Sequence, residues 1–158
     1  MKWLNRTFFA TVTIASFVHL TLAYGQNEAK TASETAGGSC PAPAEMTALH
    51  LYGEWQASWD GLTGSATVDF GRNPNHPDGV RGTVRREGGL MPAEALVAGD
   101  VDNGVFMLDE STDGKAITAV WSGEVVAGSC GREISGLWIR SADRSEHRFV
   151  LRKRPGWK

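Results

Sequence analysis

After residue 50 the chain breaks into short runs in which apolar and polar residues alternate with a period of two, separated by turn chemistry. Such runs, rich in Val, Ile, Trp, Phe and Thr, predict strands with one buried and one solvated face. The first covers 51–59 and ends at Asp60-Gly61; the second covers 65–70, with Ala66, Val68 and Phe70 on one face. The segment 71–79 holds two prolines and two asparagines and reads as a loop. Further strands are predicted over 80–86, 95–101, 105–110, 116–126, 133–140 and 147–152. Between the fourth and fifth, Asp102-Asn103-Gly104 is a strong hairpin signal, because Asn-Gly accepts the positive φ of tight turns. No stretch with helical period is apparent beyond the N-terminus.

Eight strands with short antiparallel connections predict an all-β domain: an eight-stranded antiparallel up-and-down β-barrel or a closely related sandwich. Closure removes the edges that an open sheet would present. An α/β enzyme scaffold is not expected from this pattern.

The N-terminus carries a different pattern. Lys2 and Arg6 precede an apolar run from Phe8 to Ala23, followed by Ala23-Tyr24-Gly25, which is the layout of a signal peptide cleaved before Gln26. The alternative, an uncleaved anchor, requires a span of ~20 apolar residues. A lipoprotein is disfavoured because Cys40 lies far beyond the apolar run. Residues 26–45, dominated by Ala, Thr, Ser, Glu, Gly and Pro, offer little to bury and predict a flexible leader. The expected organisation is therefore signal peptide 1–25, leader 26–45 and barrel domain 46–158, in the periplasm or outside the cell, with no membrane span in the mature chain.

Loss of 1–25 removes two basic residues and no acidic ones, so the net charge falls from -2 to -4. A mildly acidic chain argues against a nucleic-acid partner. Arg140, Arg144, Arg148, Arg152, Lys153, Arg154 and Lys158 give the last strand and tail a local basic character, read either as a solvated face or as a contact for an acidic partner. The two cysteines, Cys40 and Cys130, are expected to pair, as exported proteins favour. The alternative is a reactive or intermolecular thiol.

Catalytic and metal signals are thin. Asp100, Asp102, Asp109 and Glu110 miss the calcium-loop spacing by one place at Gly104 and again at Glu110. His50, His76 and His147 fall on separate elements without ligand spacing. There is no Gly-x-Ser-x-Gly elbow and no phosphate-cradling glycine loop. Neither a cofactor nor enzymatic activity is expected; a hydrolase using Asp69, Asp109 and Glu110 ranks last. Tryptophan is the unusual feature. Trp55 and Trp59 share one face of the first strand, Trp121 is in phase with Ile117, Ala119 and Val125, and Trp138 with Ile134 and Gly136. These four rings are either core filling or the lining of a cup for an apolar ligand.

The segment Leu51-Tyr52-Gly53-Glu54-Trp55 resembles the Gly-x-Trp opening of calycin-type barrels, and Trp121-Ser122-Gly123 with Ile134, Trp138 and Ser141 is similar to the paired Trp segments of avidin-like proteins. Avidin-like ligand binding does not carry over: Gly82-Thr83 is followed by Val84 where that family has a binding Tyr, and 141–146 stands where it has a further Trp segment. Small periplasmic inhibitors of metalloproteases, also calycin-like, share an exported location, a polar leader before the Gly-x-Trp strand and a single disulfide. The lack of catalytic groups on a rigid, loop-bearing scaffold predicts an exported, non-enzymatic binding protein, an inhibitor or partner of another exported protein, acting through loop 71–79, the leader, or both; the resemblance to the inhibitors points the same way. The alternative is a small-molecule carrier with Trp55, Trp121 and Trp138 lining the barrel interior.

Overall fold

A computed structural model describes residues 40–89 and 92–156. The predicted signal peptide, most of the predicted leader and Trp157 lie outside the described residues. Eight strands follow one another in antiparallel order: β1 (Gly53–Trp59), β2 (Ala66–Arg72), β3 (Gly79–Arg86), β4 (Glu94–Asp102), β5 (Val105–Ser111), β6 (Ala119–Val125), β7 (Glu133–Arg140) and β8 (Glu146–Lys153). Each strand pairs with the next, and β8 pairs back onto β1 with Ala57 opposite Leu151, closing the barrel. Closure decides between the two predicted architectures in favour of the up-and-down barrel, and it leaves no free edge.

The alternation sets the inward face. Trp55, Ala57 and Trp59 of β1, Val68 and Phe70 of β2, Phe106 and Leu108 of β5, Trp121 of β6, Ile134 and Trp138 of β7, and Phe149 and Leu151 of β8 are all buried. Large rings on some strands are accommodated by glycines on others. Gly123 and Gly136 face each other across β6 and β7, and a Cβ on Gly136 would meet the carbonyl oxygen of Ser122 at 2.1 Å. Only glycine permits that approach, and Phe149 packs beside it.

Three sequence expectations are corrected in detail. The loop expected over 71–79 shortens to 73–78, because Gly71 and Arg72 pair with Arg81 and Val80 and so extend β2, while Gly79 opens β3. The first strand begins at Gly53 and not at residue 51, because Ala48–Leu51 forms one turn of helix, α1, preceded by a 3-10 turn at Pro43–Glu45. One turn is too short to show a period, so it was invisible to pattern reading. The sixth strand begins at Ala119 and not at 116. Asp113 Oδ1 accepts hydrogen bonds from the amides of Lys115 and Ala116, which folds that stretch into the β5–β6 connection and leaves Ile117 half exposed instead of in phase with Trp121. Those amide bonds, largest first from Ala116 and Lys115, hold the Asp113 carboxyl below its ordinary range. The predicted hairpin is present at 102–104, with φ of 49° at Asn103 and 83° at Gly104.

Candidate functional site

The two barrel ends are built differently. At the end where β1 begins and β8 finishes, α1 packs as a plug against β2 and β3, with its own Leu51 and the preceding Met46 buried. Trp55 Nε1 donates to the Leu51 carbonyl at 2.7 Å, tying the plug to β1. Lys153 Nζ sits 5.6 Å from the Trp55 ring centre and donates to the His50 carbonyl. Burial, and then the neighbouring Arg132 charge, hold the Lys153 ammonium below its ordinary range. The disulfide Cys40–Cys130 fastens the start of this segment to the β6–β7 connection, with Cα atoms 4.7 Å apart.

The β2–β3 loop, 73–78, emerges at the same end. Asn73 is buried in it; its side chain accepts from the Asn75 amide at 3.1 Å, and its carbonyl from the His76 amide at 3.4 Å. Between this loop and α1 runs an open groove of about 660 Å³ whose wall includes Leu49, Tyr52, Arg72, Pro77 and Asp78. Leu49 is 71% exposed, the most exposed large apolar side chain among the described residues. The loop and the exit of the leader therefore border one surface.

Inside the barrel the aromatic rings touch in series. Trp55 meets Phe70 edge-on at 6.4 Å, Phe70 meets Phe106 at 6.2 Å, Phe106 meets Phe149 at 6.4 Å and Phe149 meets Trp121 at 5.0 Å. Trp121 in turn lies 5.3 Å from Trp59 and 6.3 Å from Trp138. Edge-to-face and tilted contacts at such spacings are those of a packed core. Of the four tryptophans singled out in the sequence, Trp59, Trp121 and Trp138 are in mutual contact and Trp55 joins them only through the three phenylalanines; Trp55 and Trp121 are fully buried.

The opposite end carries a feature not anticipated from the sequence. Arg86, at the end of β3, and Glu110, near the end of β5, both point inward and form an ion pair at 2.6 Å with each side chain about 1% exposed. Glu110 Oε2 also accepts from Trp121 Nε1 at 3.0 Å and Trp138 Nε1 at 3.2 Å. Arg86 donates from Nη1 to the Pro92 carbonyl at 3.1 Å, and its guanidinium carbon lies 5.5 Å and 5.2 Å from the ring centres of Trp59 and Trp138. A buried charge survives only when paired and hydrogen-bonded, and this one has a counter-charge, a carbonyl and two π faces. The signal was present in the sequence: Arg86 is in phase with Val80 and Val84, and Glu110 with Phe106 and Leu108. Two opposite charges, each on the apolar phase of its strand, mark a buried pair.

Above this pair a pocket of about 190 Å³ opens to the surface, lined by Trp59, Leu62, Arg86, Gly89, Trp138, Arg140 and His147. The carboxylates considered for hydrolysis are not brought together. Asp69 pairs with Arg85 on the outer face, Asp109 points outward and Glu110 is interior. The three histidines stay apart on α1, in loop 73–78 and on β8, and among the described residues no cluster of three or more His, Cys, Asp or Glu side chains could hold a metal ion. On the basic last strand, Arg152 pairs with Glu133 at 2.9 Å, while Arg154 just beyond it pairs with Glu54 at 2.6 Å, as a solvated face does. No helix among the described residues is long and apolar enough to cross a membrane.

No protein-family model, curated protein or solved structure matches this chain.

Proposed function

We propose that this chain is an exported, non-enzymatic binding barrel that engages another exported protein through the α1 end. The observation that carries the reading is the packed interior: with rings in contact from Trp55 to Trp138, binding falls to the surface. At the α1 end, loop 73–78 and the segment leaving Cys40 flank a groove with exposed Leu49, half-buried Tyr52 and the charges of Arg72 and Asp78. An apolar centre with a charged rim is the composition of a protein-recognition surface. The disulfide fits an oxidising compartment and holds this surface in one arrangement. The likeness to small periplasmic metalloprotease inhibitors supports the same reading, since those proteins also work from the leader end of a calycin-type barrel.

The test uses the full exported chain as bait in a periplasmic or secreted extract, beside Leu49→Arg. The wild-type protein is expected to retain a partner at least tenfold better than Leu49→Arg, because a charge in the centre of a contact costs more than about 1.4 kcal/mol. Equal retention by both, or by neither, contradicts the reading.

A further inference from the structure

The outer wall of the barrel carries apolar surface well away from the α1 groove. Of the five exposed large apolar side chains among the described residues, four lie on β4, on β5 or on the connection that follows β5: Leu96, Val105, Met107 and Ile117. At neighbouring outward positions Val120 of β6 and Leu137 and Ile139 of β7 are half-buried, so the apolar surface continues across β5, β6 and β7. Single exposed apolar residues mean little, whereas a contiguous patch marks a contact.

Strand register arranges charge about this patch. Asp100 of β4 stands opposite Met107 of β5, Met107 opposite Ser122 of β6, Ser122 opposite Leu137 of β7, and Leu137 opposite Arg148 of β8. These five outward residues form one row across the strands: acid, apolar, small, apolar, base. Asp100 and Arg148 are exposed, and neither forms an ion pair among the described residues. Such a row is complementary to itself when turned about its middle residue. A two-fold axis parallel to β6 and passing over Ser122 keeps each residue at its own height and exchanges the flanking strands. Met107 of one copy then meets Leu137 of the other, and Asp100 meets Arg148, each contact occurring twice. In the next row Val120, between Asp109 and Ile139, lies on the axis against its own copy. On the other side of Ser122, Glu124 does the same, which makes one like-charge contact.

We infer that this outer wall is the contact for a second copy of the chain, in a two-fold dimer closed over β6. A two-fold contact requires a self-complementary surface, and the row supplies one; a foreign partner imposes no such condition. The apolar centre supplies the burial and the rim charges set the register. Because the axis runs along a strand, both α1 ends face the same way.

Sedimentation equilibrium of the exported, disulfide-bonded chain, from about 1 µM to about 1 mM, is expected to fit a monomer–dimer equilibrium. Met107→Lys, on the outer face and clear of the core, is expected to weaken it at least about tenfold with the melting temperature unchanged. Asp100→Arg and Arg148→Asp should each weaken it about tenfold, since each breaks the pair twice, and they carry the test if Met107→Lys does not fold. Both reversals in one chain should restore the wild-type constant to within about twofold. Glu124→Gln should tighten the dimer. A chain still monomeric at about 1 mM, an association unmoved by Met107→Lys, a double reversal no tighter than the single ones, or a Glu124→Gln dimer no tighter than wild type overturns the inference.

Discussion

Replacing Glu110 by leucine is expected to cost about 3–5 kcal/mol of folding stability, the largest loss of any single polar substitution in the barrel. Among the described residues the carboxylate is the only counter-charge of a guanidinium whose side chain is about 1% exposed, and the shared acceptor of two buried indole N–H groups. Its removal leaves three donors dry. Because domains of this size are stable by about 5–15 kcal/mol, the variant should be near the limit of folding. Urea denaturation measures it, and a loss under about 1 kcal/mol would mean that the pair is solvated. The double variant Arg86→Met with Glu110→Leu is expected to recover most of the loss, since an apolar pair of similar volume escapes the desolvation cost that a lone buried charge bears. The double-mutant cycle then gives the coupling directly.

The disulfide accounts for the second large effect. Cys40 and Cys130 are 90 residues apart, and closing so long a loop stabilises by about 4–5 kcal/mol in the chain-entropy account. Cys40→Ser with Cys130→Ser is therefore expected to lower stability by up to that amount. Strand content by circular dichroism should persist, because the closed ladder does not depend on the bridge. The α1 end should loosen first, since the bridge is its covalent tie to the β6–β7 connection. Unchanged stability on reduction would show that the plug holds by packing of Met46 and Leu51 alone.

Much of this architecture is legible in the alternation. Every strand was placed because its inward residues recur at every second position, and the Asn103-Gly104 turn announced itself by chemistry. Alternation assigns faces but not partners, so the choice between barrel and sandwich waited on the pairing of Ala57 with Leu151, two residues far apart in sequence. The α1 plug escaped because a single turn has no period. The Arg86–Glu110 pair escaped for a different reason: a charged residue at a strand end is ordinarily read as turning outward, although its parity with Val84 or Leu108 said otherwise. Alternation puts Trp55, Trp59, Trp121 and Trp138 on inward faces, but whether rings fill a barrel or line it depends on contacts between strands. The Phe70–Phe106–Phe149 series that links Trp55 to Trp121 runs through five strands, β1, β2, β5, β8 and β6.

The filled interior is the premise on which surface recognition rests, and hydrogen exchange at the indole nitrogens tests it most directly. In the folded, exported protein the N–H groups of Trp55, Trp121 and Trp138 are bonded to the Leu51 carbonyl and the Glu110 carboxylate, out of reach of water. Their exchange with deuterium should be slow, limited by opening of the barrel itself. Loss of all three signals within the first minutes would reveal a wet, open lumen and return the protein to the class of interior carriers.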